Sequence, residues 1–427
     1  MQRHKKLVYL WYLLAVGLLF VALQVQVLNS LPHHLRLIPG ETFNFQLSSP
    51  YSLVPPLDKD FIQVSEEGVE ISPTGPDSAS LQINLWGVPI REMLVEVVPQ
   101  LEVMPGGQAV GVLLAPGGLI VVDHVPLMGS DGRDHFPARE ADIRPGDIIM
   151  SLGGAKISSP EQVRALVEEF GRRGQPMAVE LLRDGRTIHT QITPVEVHRD
   201  HWAGRPEANY LLGLWLEDPA AGVGTLTFYE PKSGAYGALG HMVTDGASRP
   251  LQIGKGRIVR AHISGIQSGQ RGRPGEKIGV FQDERDIVGT IEKNTRFGIF
   301  GHLQIRPANP YFPQPIPVAM AHQVEVGPAE IYTVLDGQQV ERFTVEIAKV
   351  NYQSRPNDKG LIIQITDPEL LRRTGGIVQG MSGSPIVQNG RLVGAVTHVF
   401  VSDPTRGFGV LAEWMIYEAG LEITDAA

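Results

Sequence analysis

A glycine-rich loop near the carboxyl end, residues 380–386, constrains this chain more than any other segment. It reads Gly-Met-Ser-Gly-Ser-Pro-Ile, and it follows the pair Gly375-Gly376. Beyond it come an Asn389-Gly390 turn and an apolar run, residues 392–396. Glycines allow sharp turns and close approach of another backbone, and Asn-Gly between apolar runs marks a tight hairpin. The segment therefore predicts a β-hairpin that is entered through a tightly turned, serine-bearing loop.

Ser382 stands between small residues in a pattern, Gly-x-Ser-Gly-x-Pro, that resembles the nucleophile loop of chymotrypsin-like serine proteases. In this interpretation Ser382 is the nucleophile, and the amides of Gly380 and Ser382 point at the developing oxyanion. The alternative is a Gly/Ser turn before a hairpin, which has the same letters.

The composition of the 427 residues sets limits on the fold and on the chemistry. The length predicts two or three domains, and 48 Gly with 32 Pro favour short strands and turns over long helices. With 37 basic and 46 acidic residues the net charge is −9, which argues against a nucleic-acid binder. The absence of Cys excludes disulfides, a thiolate zinc site and a Cys nucleophile.

The amino terminus carries an apolar run from Leu7 to Leu23, preceded by Arg3, Lys5 and Lys6. A run of about 17 residues is near the lower limit for spanning a bilayer, and basic residues before it keep that end in the cytoplasm. We predict a signal anchor within residues 1–30, with all later domains outside the cytoplasm. A cleaved signal peptide is the alternative.

Residues 36–100 predict a small β module. Apolar and polar residues alternate in 43–47, 81–85 and 93–98, with Pro and Gly between these runs. Alternation with period two is typical of half-buried strands. The segment has no candidate chemistry, so we expect a spacer or a docking module.

Residues 101–196 contain a well-marked helix between strand patterns. Ser159 is a predicted N-cap, Pro160 occupies the first helical position, and Gln162 completes a capping box. This order, with the segment Arg-Pro-Gly-Asp-Ile-Ile at 144–149, resembles a PDZ domain. PDZ domains bind extended peptides by adding a strand beside such a helix. The resemblance implies a peptide-binding loop formed by Ala109, Val110, Gly111 and Val112; the alternative is a PDZ-like fold used only for packing.

Residues 197–427 are rich in short strand patterns, among them 213–216, 222–228, 289–301 and 343–347. Many short strands with regular turn signals predict a sandwich or a barrel. A Pro-rich run at 307–317 is a predicted loop that joins two halves of a barrel.

A serine nucleophile needs a base, and the base is often oriented by a carboxylate. Three histidines are candidates for the base: His241, His302 and His398. Asp367 is the candidate orienting residue, although Asp367-Pro368 also has the letters of a helix N-cap. Asp245 is the rival orienting residue.

Several other chemistries lack their motifs. The chain has no His-Glu-x-x-His and no Gly-x-x-x-x-Gly-Lys-Ser/Thr segment. Ser-x-x-Lys is absent around Ser382, which weakens a Ser-Lys dyad. We therefore expect neither a metal nor an organic cofactor.

Residues 101–420 resemble the SpoIVB peptidase family of spore-forming bacteria. The resembling segments are GLWLEDPAAGVGTLTFYEP, GALGHMVTD, GTIEKNTRFGIFG, ITDPELL and GGIVQGMSGSPIVQNGRLVGAVTHVFVSDPTRGFGV. The resemblance implies a membrane-anchored N-terminus, a PDZ domain and a chymotrypsin-like β-barrel peptidase domain over residues 197–427. Together with the small β module, this predicts a mainly β fold with an N-terminal transmembrane helix. Residues 36–100 themselves do not match the family. The resemblance assigns the nucleophile to Ser382, the base to His241 and the acidic partner to Asp367.

The same resemblance implies a signalling protease in the space between the two membranes of the developing spore. Its expected substrate is a membrane-bound regulator of an intramembrane protease that activates a late sporulation sigma factor. It is also expected to cleave itself, at sites that residues 36–100 do not reveal, and its PDZ ligand is a peptide from a partner or from its own chain. The alternatives are a catalytically inactive PDZ scaffold that recruits membrane proteins, and an envelope protein whose Gly-Ser loop is only a turn.

Overall fold

The computed structural model describes most of the chain after residue 32. The described residues are 11, 33–45, 50–56, 59–65, 68–113, 118–157, 159–183, 186–197, 209–217, 221–244, 256–280, 286–351 and 356–421. None of the helices in these ranges combines the length and apolar character that crossing a membrane requires. The predicted anchor, residues 1–30, lies outside the described residues except for Trp11.

The first module is made of strands alone. They form two sheets, with orders β1-β7-β6-β3 and β2-β5-β4, and their alternating residues Leu81, Ile83 and Val95 are fully buried between them. The strands are β1 (His34–Leu37), β2 (Phe43–Phe45), β3 (Tyr51–Val54), β4 (Ile62–Val64), β5 (Val69–Ile71), β6 (Asp77–Leu85) and β7 (Val88–Val97).

Two short strands follow, β8 (Glu102–Pro105) and β9 (Ala109–Leu113), and then the PDZ domain. The main PDZ sheet has the order β16-β15-β13-β10-β19. Its elements are β10 (Leu119–His124), β11 (Leu127–Met128), β12 (Asp134–His135), α1 (Pro137–Glu140), β13 (Ile148–Leu152), β14 (Ala155–Lys156), α2 (Pro160–Arg172), β15 (Met177–Arg183), β16 (Arg186–Ile192), β17 (Val195–Glu196), β18 (Tyr210–Leu211) and β19 (Leu214–Glu217).

Helix α2 begins as the sequence predicts. The Ser159 hydroxyl accepts a hydrogen bond from the Gln162 amide at 3.2 Å, and Pro160 is the first helical residue. The helix packs Val163 and Val167 into the PDZ core, because these positions recur with the helical period.

The next strands form the first half of the predicted peptidase domain. They are β20 (Ala221–Tyr229), β21 (Ala235–Ala238), β22 (Gly256–Arg260), β23 (His262–Gln267), β24 (Glu276–Val280), β25 (Ile287–Ile291), β26 (Lys293–Thr295), β27 (Gly298–His302) and β28 (Ile316–Pro317). The order β25-β22-β9-β20-β21-β27 runs through one sheet. A bridge between Gly289 and Leu303 joins its two ends, so six strands curl into a barrel.

The second half is a closed barrel with the order β29-β30-β31-β34-β33-β32. A 3-10 turn (Ala321–Gln323) leads into it. Its elements are β29 (Gly327–Val334), β30 (Val340–Val350), β31 (Leu361–Ile365), α3 (Pro368–Thr374), β32 (Pro385–Gln388), β33 (Arg391–Phe400), β34 (Asp403–Leu411) and α4 (Ala412–Glu418). The prediction of a mainly β chain with β-barrels and a PDZ domain is thereby confirmed.

The predicted peptide-binding loop is a strand of the first barrel instead. Strand β9 pairs with β20 on one edge and with β22 on the other. Both edges are occupied, so no peptide can add to this strand, and the assignment of Ala109, Val110, Gly111 and Val112 to the PDZ groove is wrong. The sequence of a short apolar run does not distinguish a loop at the end of a strand from a strand in the interior of a sheet.

This pairing also changes the domain layout. Leu113, the last residue of β9, pairs with Ala221, the first residue of β20. The PDZ domain therefore stands where a hairpin turn would join two neighbouring barrel strands. It is an insertion into the peptidase domain rather than a module that precedes it.

Candidate active site

The nucleophile loop, defined here as residues 378–384, lies where the two barrels meet. Gly380 and Gly383 have φ angles of +91° and +92°, which side chains rarely allow. A Cβ at Gly383 would lie 2.0 Å from the Thr225 carbonyl oxygen. Gly380 is therefore required by the turn, and Gly383 both by the turn and by the close approach of strand β20.

Strand β20 holds the nucleophile loop by donating hydrogen bonds to carbonyl groups of the loop. The Thr225 hydroxyl donates to the Gly380 carbonyl and the Thr227 hydroxyl to the Gly383 carbonyl, each at 2.8 Å. The Thr225 amide donates to the Ser382 carbonyl at 2.9 Å. Both threonines are fully buried, so these bonds are shielded from water and fix the loop on the first barrel.

The amides of the loop fall into two groups. Those of Met381, Gly383 and Ser384 donate to backbone carbonyls. Those of Gly380 and Ser382 donate to no acceptor within the part of the chain that the structure describes. Two unused amides on either side of one residue are what an oxyanion hole needs, and these are the two amides that the sequence assigns to it. The assignment itself stays a prediction.

The Ser382 hydroxyl donates to the Thr397 carbonyl at 2.7 Å. This carbonyl is available because strand β33 bulges there: Val396 pairs with Gly409, but the next pair is Val399 with Gly407. Bulges re-aim backbone groups and are frequent beside active sites.

His241 reaches the same place from the first barrel. It follows β21 through Leu239 and Gly240, whose φ angles are +69° and +71°. A Cβ at Gly240 would lie 2.9 Å from Thr397 Cγ2, so the two barrels touch beside the histidine. Its Nδ1 is 2.9 Å from the Met242 carbonyl oxygen. A proton on Nδ1 is donated there, which leaves Nε2 as the acceptor that a general base requires.

Burial lowers the pKa of His241, partly offset by its hydrogen bond to Met242. The ring of His398 lies beside it, with centroids 4.9 Å apart. Burial, aided by the charge of His241, lowers the pKa of His398 to about 4. His302 instead pairs with Glu292 at 2.8 Å on an exposed surface. His241 and His398 are therefore the two neutral imidazoles of the site.

The Asp367 carboxylate forms its hydrogen bonds with backbone amides and not with His241. It is the N-cap of α3: its carboxylate accepts the amides of Glu369 and Leu370 at 3.0 Å and that of Thr344 at 3.3 Å. No contact joins it to His241 among the described residues, so the structure gives the N-cap interpretation and leaves the catalytic role of Asp367 without a geometric basis. The rival, Asp245, lies outside the described residues.

A different carboxylate, that of Asp358, acts electrostatically on the two histidines. Burial lowers the pKa of both His241 and His398. The negative charge of Asp358 opposes this effect and raises the pKa of each. Asp358 also pairs with Arg296 at 3.5 Å. The residue precedes β31 in a polar loop, and the sequence gives no signal that singles it out.

A buried lysine lies behind the loop. Lys277 on β24 is only 5% exposed, and its Nζ donates to the Thr333 hydroxyl at 2.6 Å. Burial lowers its pKa to about 7. No group of three or more metal-ligating side chains occurs within the described ranges.

Comparison with known proteins identifies two domains. Residues 208–416 match the family model of the SpoIVB peptidase S55, and residues 118–193 match that of the PDZ domain. The expected family resemblance is confirmed, and the chain carries a serine peptidase domain with a PDZ domain.

Two curated relatives are named as zinc metalloproteases. The one from Mesorhizobium japonicum is 26% identical over 157 residues, 36% of this chain and 41% of the relative. The one from Staphylococcus aureus is 31% identical over 81 residues, 19% of this chain and 18% of the relative. The chain thus spans less than half the length of these relatives.

Two crystal structures of the Rv3671c protease from M. tuberculosis are also similar. The active form has a TM-score of 0.26 and 15% identity, and covers 48% of this chain and 75% of its own. The inactive form has a TM-score of 0.24 and 14% identity, with 46% and 84% covered.

Proposed function

Since residues 208–416 are a peptidase domain of the SpoIVB S55 family, we propose that this chain is a membrane-anchored, extracytoplasmic serine endopeptidase that uses Ser382. The observation that carries the proposal is the nucleophile loop. Each carbonyl of this loop accepts a hydrogen bond, while the Gly380 and Ser382 amides, beside the Ser382 hydroxyl, have no acceptor among the described residues.

In the proposed reaction Ser382 Oγ attacks the scissile carbonyl carbon. The hydroxyl first turns from the Thr397 carbonyl to His241 Nε2, a change of side-chain rotamer. His241 takes the hydroxyl proton and later gives it to the leaving amine, and the carbonyl electron pair moves to the oxygen held by the two amides. The Asp358 charge favours the imidazolium that forms.

The PDZ domain is proposed to deliver peptides to this site. Strand β19 is the last strand of the PDZ sheet on the side of β10, and Gly213, with φ +66°, forms the turn before it. We place the ligand strand beside β19, since PDZ domains bind peptides by adding a strand to the sheet. Either a partner or the chain itself supplies the peptide.

The biological role follows the family description. The proposed substrate is a membrane-bound regulator in intercompartmental signalling during sporulation, and the proposed product is an active late sigma factor downstream. Self-cleavage releases the enzyme from its anchor. The apolar run from Leu7 to Leu23 supports the anchor, with the domains in the space between the two spore membranes.

The test is active-site labelling of the full chain with a fluorophosphonate probe, together with an N-terminal read of the purified protein. We expect labelling and self-processing in the wild type, neither in Ser382→Ala, and both in Ser402→Ala, an exposed control. Equal labelling of Ser382→Ala contradicts the proposal. A folded wild type that never labels leaves the inactive PDZ scaffold as the function.

A further inference from the structure

Lys277 is a charged side chain in an apolar place. It lies on β24, and within the described residues it forms no ion pair; its one hydrogen bond joins Nζ to the Thr333 hydroxyl at 2.6 Å. Burying an ammonium without a counter-ion is costly. A structural role would be served at lower cost by an apolar side chain of the same length. Packing alone therefore does not explain why a lysine is buried at this position.

The lysine is built into the nucleophile loop. Its amide donates to the Gln379 carbonyl at 2.9 Å, and its side chain runs along Gly380. A Cβ at Gly380 would lie 3.0 to 3.2 Å from Lys277 Cβ, Cδ and Cγ. Only two bonds separate Cδ from Nζ, so the ammonium stays near the Gly380 backbone.

The partner hydroxyl lies under the same loop. Strand β29 pairs with β32 through Glu330–Val387 and Ile331–Ile386. Thr333 lies two residues further along β29, and in this antiparallel pair that direction leads towards the nucleophile loop. The ammonium is thus held on the protein side of the loop, away from solvent.

Among the residues that the structure describes, the surroundings of the Lys277 side chain supply no compensating charge. Ile266 faces Lys277 across the hairpin from β23, Thr333 from β29, Gly380 from the loop, and Thr225 reaches that glycine from β20. None of these groups titrates, and burial is the sole cause of the lowered lysine pKa. The proposed reaction creates a negative charge at this site, on the oxygen of the tetrahedral intermediate.

We propose that Lys277 is a positioning residue of the oxyanion hole: its stem fixes Gly380, and its ammonium provides positive charge behind the Gly380 and Ser382 amides. As Ser382 Oγ bonds to the carbonyl carbon, the π electron pair moves to oxygen and the proton passes to His241. The oxyanion then becomes the counter-ion of Lys277, so the charge stabilises the intermediate more than the ground state. This inference rests on the proposed function.

The test measures the rate constant of fluorophosphonate labelling from pH 6 to pH 9, because phosphonylation of serine also places an oxygen in the hole. Lys277→Met keeps the length of the stem and removes the charge, and Lys293→Met, on the surface, is the control. We expect Lys277→Met to label on the order of 10- to 100-fold more slowly than wild type at pH 6. The ratio of the wild-type to the Lys277→Met rate constant should shrink towards pH 9, where the wild-type lysine is neutral.

A second variant, Thr333→Val, keeps the lysine but removes its hydrogen-bond partner. In Thr333→Val, the excess of the labelling rate constant over that of Lys277→Met should disappear at a lower pH than it does in wild type. The reason is that an ammonium without its hydrogen-bond partner gives up its proton more readily. A loss that is the same at every pH, or no loss in Lys277→Met, overturns the proposal. Loss as complete as in Ser382→Ala overturns it as well, because Lys277 would then be the base. If wild type shows no Ser382-dependent labelling, the proposed function fails and this role fails with it.

Discussion

The Thr225 hydroxyl donates a 2.8 Å hydrogen bond to the carbonyl of Gly380, 155 residues away in sequence. Both groups are buried, and the same threonine donates its amide to the Ser382 carbonyl. The position of the nucleophile loop of the second barrel is therefore set by a strand of the first. The two barrels cannot shift against each other without moving the serine.

Replacing Thr225 by Val should slow labelling of Ser382 by about 10-fold or more, because a misplaced oxyanion hole loses much of its effect. It should also lower the free energy of unfolding by about 1–3 kcal/mol, since the buried Gly380 carbonyl loses its donor. Labelling kinetics and denaturant unfolding measure the two effects. Thr225→Ser, which keeps the hydroxyl, is the matched control. Wild-type labelling by the valine variant would show that the loop is held by other contacts.

Lys277 makes a second prediction about stability and pH. Its pKa is about 7 in the folded chain, below the ordinary value of about 10.4 in the unfolded chain. Between these values the unfolded chain binds more protons, so stability rises with pH and is lost as pH falls through 7. Thermal unfolding at pH 6.5 and pH 9 should show a smaller difference in Lys277→Met than in wild type. An equal difference would mean that the lysine is not buried.

The two aspartates can be separated by substitution. Asp358→Asn should lower the pKa of His241, because a charge that raises it is removed. The acid limb of the labelling profile then moves to lower pH. Asp367→Ala should instead remove the N-cap of α3 and cost about 0.5–2 kcal/mol of stability, with labelling per folded molecule retained. Loss of labelling in Asp367→Ala at unchanged stability would restore Asp367 as the orienting residue.

The sequence predicts those features that depend on neighbouring residues. The α2 cap at Ser159, the Asn389-Gly390 hairpin and the sharp glycine turns at 380 and 383 are local, and the structure contains each of them. The sequence alone could not decide whether Asp367 is a helix N-cap or a catalytic acid, because residues with either role occur just after the end of a strand. The structure gives the cap.

The remaining features depend on pairing between distant segments. Strand β9 is a continuous apolar run that is buried on both faces, and nothing near it in sequence indicates that its partners begin at Ala221 and Gly256. Lys277 follows another charged residue, Glu276, at the start of β24, and lysines are almost never fully buried, so its sequence context indicates an exposed side chain. It is buried because the nucleophile loop covers the face of the hairpin on which it lies.

The insertion of the PDZ domain yields the last prediction. Since Leu113 and Ala221 are paired neighbours, replacing residues 114–220 by a two-residue Asn-Gly turn should close an ordinary hairpin. Strand β19 is removed with the PDZ domain to whose sheet it belongs, and β20 keeps both Thr225 and Thr227. We expect this shortened chain to fold and to label at Ser382 at close to the wild-type rate, while cleavage of a peptide that requires PDZ binding is lost. A matched version with Ser382→Ala shows that the labelling is specific. If the shortened chain folds but does not label, the PDZ domain contributes to the geometry of the site through β20, and its role extends beyond delivering peptides.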